Sequence, residues 1–269
     1  MKSLDSILAT ISASKLDTWE RCRESWRRRY IEGEKVPPGV AIHRGRGPHF
    51  AAKVNFEQKV DSHRDLPVTE MVELAVEHFR ESVGRGISFT REEDHVGHDV
   101  VVGRGVDSVR GLAELFAVKV APKYQPLLVE KRFTLTLPSR GYKLNGVVDW
   151  IAEGDVVTDL KTSARKIKDV MVTRSPQLTA YALYHAGVFG HLPRKVRLEG
   201  LIDKEVPVLQ TLESTRTRND VALLLRRIDA MVAGVRSGTF GPAPFDSWKC
   251  DPRFCGFYST CPYVPAEGG

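Results

Sequence analysis

Nowhere in the 269-residue chain do about 18 apolar residues run together, so no membrane-spanning helix is expected. The first residues, from Met1 to Leu8, place an acid at Asp5 and sustain no apolar stretch, which argues against a secretory signal and for a cytoplasmic protein. No G-x-x-x-x-G-K-[ST] phosphate loop occurs, so a helicase motor of that kind has to be another chain. No repeat of 20 to 50 residues and no low-complexity segment is visible. Cysteine is scarce, with only Cys22, Cys250, Cys255 and Cys261. In a reducing compartment disulfides are disfavoured, and three clustered cysteines read as ligands before they read as bridges.

An apolar share of 42% over this length is enough for a large core. The expectation is one core with insertions. A net charge of +6 and a pI near 9.1 favour a polyanionic partner.

Ser14-Lys-Leu-Asp17 looks like a capping box that opens a helix through about Ile31. Leu16, Trp19, Cys22, Trp26 and Tyr30 recur at three- and four-residue spacing and form its buried stripe, while Arg21, Arg23, Arg27, Arg28 and Arg29 decorate a solvated or phosphate-facing side. A second helix is expected to begin near Pro48, with His49 in its first turn and Gly45 and Gly47 permitting close backbone approach. Amphipathic helices over 66–82 and 106–121 flank a polar loop carrying His95 and His98, a weak metal signal without a partner pair. Residues 60–122 therefore read as a helical insertion or cap.

The chemistry concentrates between residues 130 and 181. A strand over 126–138 carries Glu130, and Lys143-Leu-Asn-Gly-Val-Val-Asp149 delivers a carboxylate at the end of the next. In Val156-Val-Thr-Asp159-Leu160-Lys161, alternation puts Asp159 and Lys161 on one face and Leu160 on the other. If these strands pair, Asp149 lies beside Asp159, and two ionised carboxylates so placed call for a cation. A helix from about Ser175 sets Gln177 and Tyr181 on one face by i, i+4 spacing. Two strands over 194–202 and 205–212, joined by a two-residue turn at Asp203-Lys204, and a helix over 214–235 complete the core. Phosphodiester hydrolysis needs such a set: carboxylates hold Mg²⁺ or Mn²⁺, and a lysine positions the attacking water and offsets developing charge.

The order of these motifs resembles the PD-(D/E)xK nucleases of the RecB-like branch, and within it the iron–sulfur exonucleases that include the CRISPR-adaptation exonuclease and the AddB nuclease domain. Gly45-Arg-Gly-Pro-His49, Glu130, Asp149, Asp159-Leu160-Lys161 and Gln177 with Tyr181 carry the resemblance. It implies a restriction-endonuclease-like α/β fold, a central mixed sheet flanked by helices. The catalytic core would span 123–212, and residues 1–32 with 236–263 would form a cluster-binding subdomain. It implies a Mg²⁺- or Mn²⁺-dependent DNA exonuclease acting on single strands or ends. His49, Asp149, Asp159 and the Leu160 carbonyl would hold the metal, Lys161 would be catalytic, and Glu130, Gln177 and Tyr181 would support the site.

For the cysteines three readings compete: core thiols, a zinc site and an iron–sulfur cluster. The spacings are C-x₄-C and C-x₅-C with one distant partner, unlike the paired knuckles usual for zinc. The resemblance implies a [4Fe–4S] cluster on Cys22, Cys250, Cys255 and Cys261. The rival function is a non-catalytic DNA-binding protein on this fold with structural zinc, against which the intact acid-acid-lysine set argues.

Overall fold

The structure, a computed structural model, describes residues 3–264, the side chain of Arg91 excepted. In chain order its first elements are α1 (Leu4–Leu8), β1 (Thr10–Ser12), α2 (Ala13–Arg21), α3 (Arg23–Arg27), α4 (Val40–Ser62), α5 (Val68–Gly84), α6 (Arg91–Val96) and α7 (His98–Lys119). There follow β2 (Pro126–Thr136), β3 (Lys143–Ala152), β4 (Val156–Ser163), α8 (Val170–Thr173), α9 (Pro176–Phe189), β5 (Lys195–Ile202), β6 (Val208–Ser214) and α10 (Arg218–Arg236). Two units emerge: Met1–Val36 with Thr134–Gly146 and Arg218–Gly269, and Pro37–Phe133 with Val147–Thr217. No helix among the described residues is long and apolar enough to cross a membrane.

In the first unit β1 lies parallel to Lys143–Asn145 of β3. The single helix expected from Ser14 to Ile31 is broken. Its cap is Ser12, whose Oγ accepts the Lys15 N–H at 3.2 Å. Cys22 then leaves helical space at φ −163°, ψ 111° and caps α3 in turn, its sulfur accepting the Ser25 N–H at 3.4 Å. The break is stabilised from outside the helix, because the Glu24 N–H donates to the Gly241 carbonyl at 2.9 Å. Trp19 and Trp26 meet edge to face at 5.7 Å, and Phe240 stacks on Trp26. A Cβ at Gly234 of α10 would come within 2.6 Å of the Trp19 ring.

Arg28 departs from the expectation of a solvated face. It is buried, paired with Glu34, and donates to Thr260 Oγ1 at 2.7 Å and the Phe257 carbonyl at 3.3 Å. A guanidinium fork tolerates burial when carboxylate and carbonyl acceptors fill it. Here it ties the tail bearing Cys255 and Cys261 to the π-helical turn Arg28–Glu32 that follows α3.

In the second unit α4 begins at Val40 rather than at Pro48, so the proline sits inside the helix. An internal proline removes a hydrogen bond; burial of Val40 and His43 and the close seat of Gly47 against the Ala75 carbonyl of α5 offset that loss. The polar stretch read as a loop is ordered as α6. Thr90 and Glu93 form a reciprocal capping box there, and α7 starts directly at His98. Phe56, Phe116, Tyr124 and Trp150 build the apolar centre with edge-to-face contacts of 5.0–6.3 Å.

The sheet is mixed: β3 antiparallel to β4, β4 parallel to β5, β5 antiparallel to β6, with β2 on β3. Pairing of Ile202 with Val208 makes the β5–β6 turn 203–207, longer than the two residues expected. Pro207 has no N–H to give a ladder, and it packs over Gly111 of α7 instead.

Candidate active site

Strand register brings the two acids together. β3 and β4 pair Trp150 with Thr158, and one further step of that antiparallel register sets Asp149 opposite Asp159. Here a side chain takes over from the main-chain ladder, with the Leu160 N–H donating to Asp149 Oδ2 at 2.7 Å. Alternation does the rest: Leu160 is fully buried in the apolar centre, while Asp159 and Lys161 share the other face.

Lys161 Nζ lies 2.9 Å from Asp159 Oδ2 and donates to Gln177 Oε1 at 3.0 Å. The Gln177 amide donates in turn to the Tyr181 hydroxyl at 2.6 Å. Gln177 and Tyr181 stand one turn apart on α9, whose start is fixed by Ser175 accepting the Leu178 N–H and by Pro176 in its first turn. The result is a continuous chain of contacts from carboxylate to ammonium to amide to phenol.

His49 on α4, Glu130 on β2 and Asp149 on β3 offer a ring nitrogen and two carboxylate oxygens within 4.8 Å of one another. His49 Nδ1 is 3.7 Å from Asp149 Oδ2. Glu130 has a left-handed φ of 46°, unusual for a residue with a side chain and typical of strain retained where a group must be aimed. These three residues, with Lys53, Phe56, Trp150 and Leu160 among others, line a cavity of about 10 Å³, room for roughly one water-sized occupant.

Electrostatics are consistent with a cation site. Burial, then the Lys161 charge, lowers the His49 pKa to about 4, so the imidazole is neutral near pH 7 and keeps a lone pair to donate. Burial and then repulsion from Asp159 push the Asp149 carboxyl well above its usual range. Burial also raises Glu130, and burial plus the two aspartates raises the Tyr181 phenol. Two carboxylates and a neutral imidazole, with excess negative charge to neutralise, suit a hard divalent cation.

His49, Glu130, Asp149, Asp159, Lys161, Gln177 and Tyr181 all fall in this region. Glu130 joins His49 and Asp149 in the donor set, whereas Asp159 stands outside it against Lys161. The Leu160 backbone is present, its N–H donating to Asp149 Oδ2 at 2.7 Å. Lys53 also lines the cavity. Motif spacing does not reveal it, although it lies one helical turn beyond His49 on the same face. His95 and His98 join no metal-binding group among the described residues; His98 Nε2 pairs with Asp94 at 2.8 Å.

The four cysteines all lie in the first unit and interact with one another. Burial raises the Cys250 and Cys255 thiols, and the neighbouring cysteines add to the effect. Backbone N–H groups of Ser25 and Phe257 approach Cys22 and Cys255 respectively. Among the described residues no three sulfurs come within 4.8 Å of one another.

The profile of the PD-(D/E)XK nuclease superfamily matches residues 10–262. A search of curated proteins finds no relative. Among solved structures, a protein of Eubacterium rectale described as a candidate exonuclease is similar at 14% identity and a TM-score of 0.56. That alignment covers 92% of this chain and 89% of the other, and it shows a shared fold. The protein SSO0001 aligns over 98% of this chain and 95% of its own at 15% identity, with a TM-score of 0.41, too low to bear on the fold.

Proposed function

Because the chain belongs to the PD-(D/E)XK nuclease superfamily, we propose that it is a metal-dependent deoxyribonuclease, an exonuclease that hydrolyses phosphodiester bonds in single-stranded DNA or at DNA ends. The observation that carries this reading is the junction at Leu160 of two constellations, the His49, Glu130 and Asp149 donors and the Asp159, Lys161 and Gln177 chain. His49, Glu130 and Asp149 would hold Mg²⁺ or Mn²⁺, with Asp159 and the Leu160 carbonyl adjoining. A bound divalent cation supplies charge neutralisation and Lewis acidity at a phosphoryl oxygen.

The chain's own groups do the remaining work. Lys161, fixed by two acceptors, presents a positive charge to the phosphodiester and orients the attacking water. Gln177 holds the lysine's direction, and the buried Tyr181 holds the glutamine's. A helicase or recombination protein on another chain would supply unwound DNA, in repair, recombination or the processing of phage or CRISPR DNA. End-labelled single- and double-stranded DNA tests the assignment. Shortening is expected with Mg²⁺ or Mn²⁺ and none with chelator or with Asp149→Ala; equal activity in either control overturns it.

For residues 1–32 and 236–263 the reading is a [4Fe–4S] cluster on Cys22, Cys250, Cys255 and Cys261. Thiolates on one zinc ion sit about 4 Å apart, given Zn–S bonds of about 2.3 Å, whereas among the described residues no three of the sulfurs gather within 4.8 Å of one another. Thiolates on different irons of one cluster need no such approach, and the N–H groups at Cys22 and Cys255 suit anionic sulfur. The protein purified without oxygen is expected to be brown, with about four irons per chain, and Cys22→Ala or Cys255→Ala to lose both iron and stability. Colourless protein carrying one zinc decides for the zinc site.

A further inference from the structure

The cysteine-bearing tail carries a surface that neither the nuclease site nor the thiols explain. Phe245 stands fully exposed, Trp248 is 65% and Phe254 53% exposed, and Tyr263 is also open to solvent. Three aromatic rings and a phenol within nineteen residues are costly to leave hydrated. Trp248 and Phe254 are neighbours, their centroids 5.1 Å apart and their planes at 81°. Each carries a cation, Lys249 at 4.7 Å from the Trp248 ring and Arg253 at 5.5 Å from the Phe254 ring. Arg21 and Arg29 lie close enough to Lys249 to act on its charge. These four cations outnumber Asp17, Asp246 and Asp251, of which Asp17 pairs with Arg21 and Asp251 with Arg253.

We propose that this face is a stacking platform for the unpaired bases of single-stranded DNA, with Trp248 and Phe254 taking the bases and Lys249 with its neighbouring arginines facing the phosphates. An aromatic face accepts any base because every base has a π surface, and interleaved cations follow the backbone. A protein partner or a second copy would gain from the apolar rings but not from cations set against each of them. Charge complementarity therefore favours a polyanion with planar groups. A duplex hides its base faces, so the surface discriminates single strands. The choice of DNA over RNA rests on the nuclease reading; the stacking itself does not.

The chain contains its own reporter. Trp19, Trp26 and Trp150 are buried, which leaves Trp248 as the exposed tryptophan. Titrating the full-length protein with an oligothymidylate 20-mer, without divalent cation, is expected to quench the Trp248 emission in saturable fashion, with a blunt duplex quenching far less. Trp248→Ala with Phe254→Ala is expected to weaken single-strand binding by about tenfold or more, Trp248→Phe to restore most of it, and Lys249→Ala to lower the salt dependence. The Lys161→Ala protein should show the same quenching, so failure of the nuclease reading leaves this result standing, and cleavage without quenching overturns the platform alone. Equal quenching by duplex, undiminished binding in the double variant, or self-association abolished by Trp248→Ala each overturns it, the last in favour of a second copy.

Discussion

Lys161→Ala is expected to keep the fold and the affinity for DNA while slowing turnover by about 10²-fold or more, the scale set by losing a positioned proton-transfer or charge-offsetting group. The ammonium is held at two points, 2.9 Å from Asp159 and 3.0 Å from Gln177, so its direction is fixed before substrate arrives. Removing it leaves Asp159, only 2% exposed, without that counter-charge, and a local loss of stability accompanies the kinetic one. Two measurements separate them, since a thermal melt reads stability while the single-turnover rate at saturating DNA reads chemistry. Gln177→Leu keeps the lysine but frees its direction, and a smaller drop in kcat is expected. A Lys161→Ala enzyme within a few-fold of the wild-type rate would sink the assignment.

The contrast between what was legible in the residues and what was not follows from locality. Asp159 and Lys161 share a face because alternation is a property of any strand, and Asp149 reaches them across a short antiparallel turn at Glu153–Asp155. Gln177 and Tyr181 meet by helical spacing alone. Capping chemistry is equally local, yet the Thr90 and Glu93 box stands among polar residues that give no apolar period, so the pattern carries no helix signal there.

The remaining differences are tertiary. Cys22 interrupts its helix where a partner 219 residues away, Gly241, receives the freed N–H of Glu24. Arg28 is buried because Glu34, Phe257 and Thr260 converge on it. Glu130 belongs with His49 through a backbone conformation that no propensity encodes. The start of α4 at Val40 was hidden by Pro48, a residue that marks a first turn in most helices and here is carried by packing around it.

That packing makes Gly47 and Gly45 respond in opposite ways to the same substitution. A Cβ on Gly47 would lie 2.7 Å from the Ala75 carbonyl oxygen and 2.8 Å from Val109 Cγ1, closer than atoms approach, and the nearer obstacle is the backbone of α5. Gly47→Ala therefore has to push α4 away from α5, at a cost of about 1–3 kcal/mol for overpacking, reduced by the roughly 0.5–1 kcal/mol that alanine gains over glycine inside a helix. A Cβ on Gly45 meets only Thr162 at 3.7 Å, an ordinary contact, so Gly45→Ala collects the helix gain unopposed. Thermal melts are expected to place Gly47→Ala several degrees below the wild type and Gly45→Ala level with it or about 2 °C above. Because His49 follows Gly47 by two residues on the same helix and stands 3.7 Å from Asp149, the displaced helix also loosens the donor set, and the Mn²⁺ affinity of Gly47→Ala should fall with its Tm while that of Gly45→Ala holds. A Gly47→Ala protein as stable as the wild type would mean that α4 and α5 have slack where the structure places them in contact.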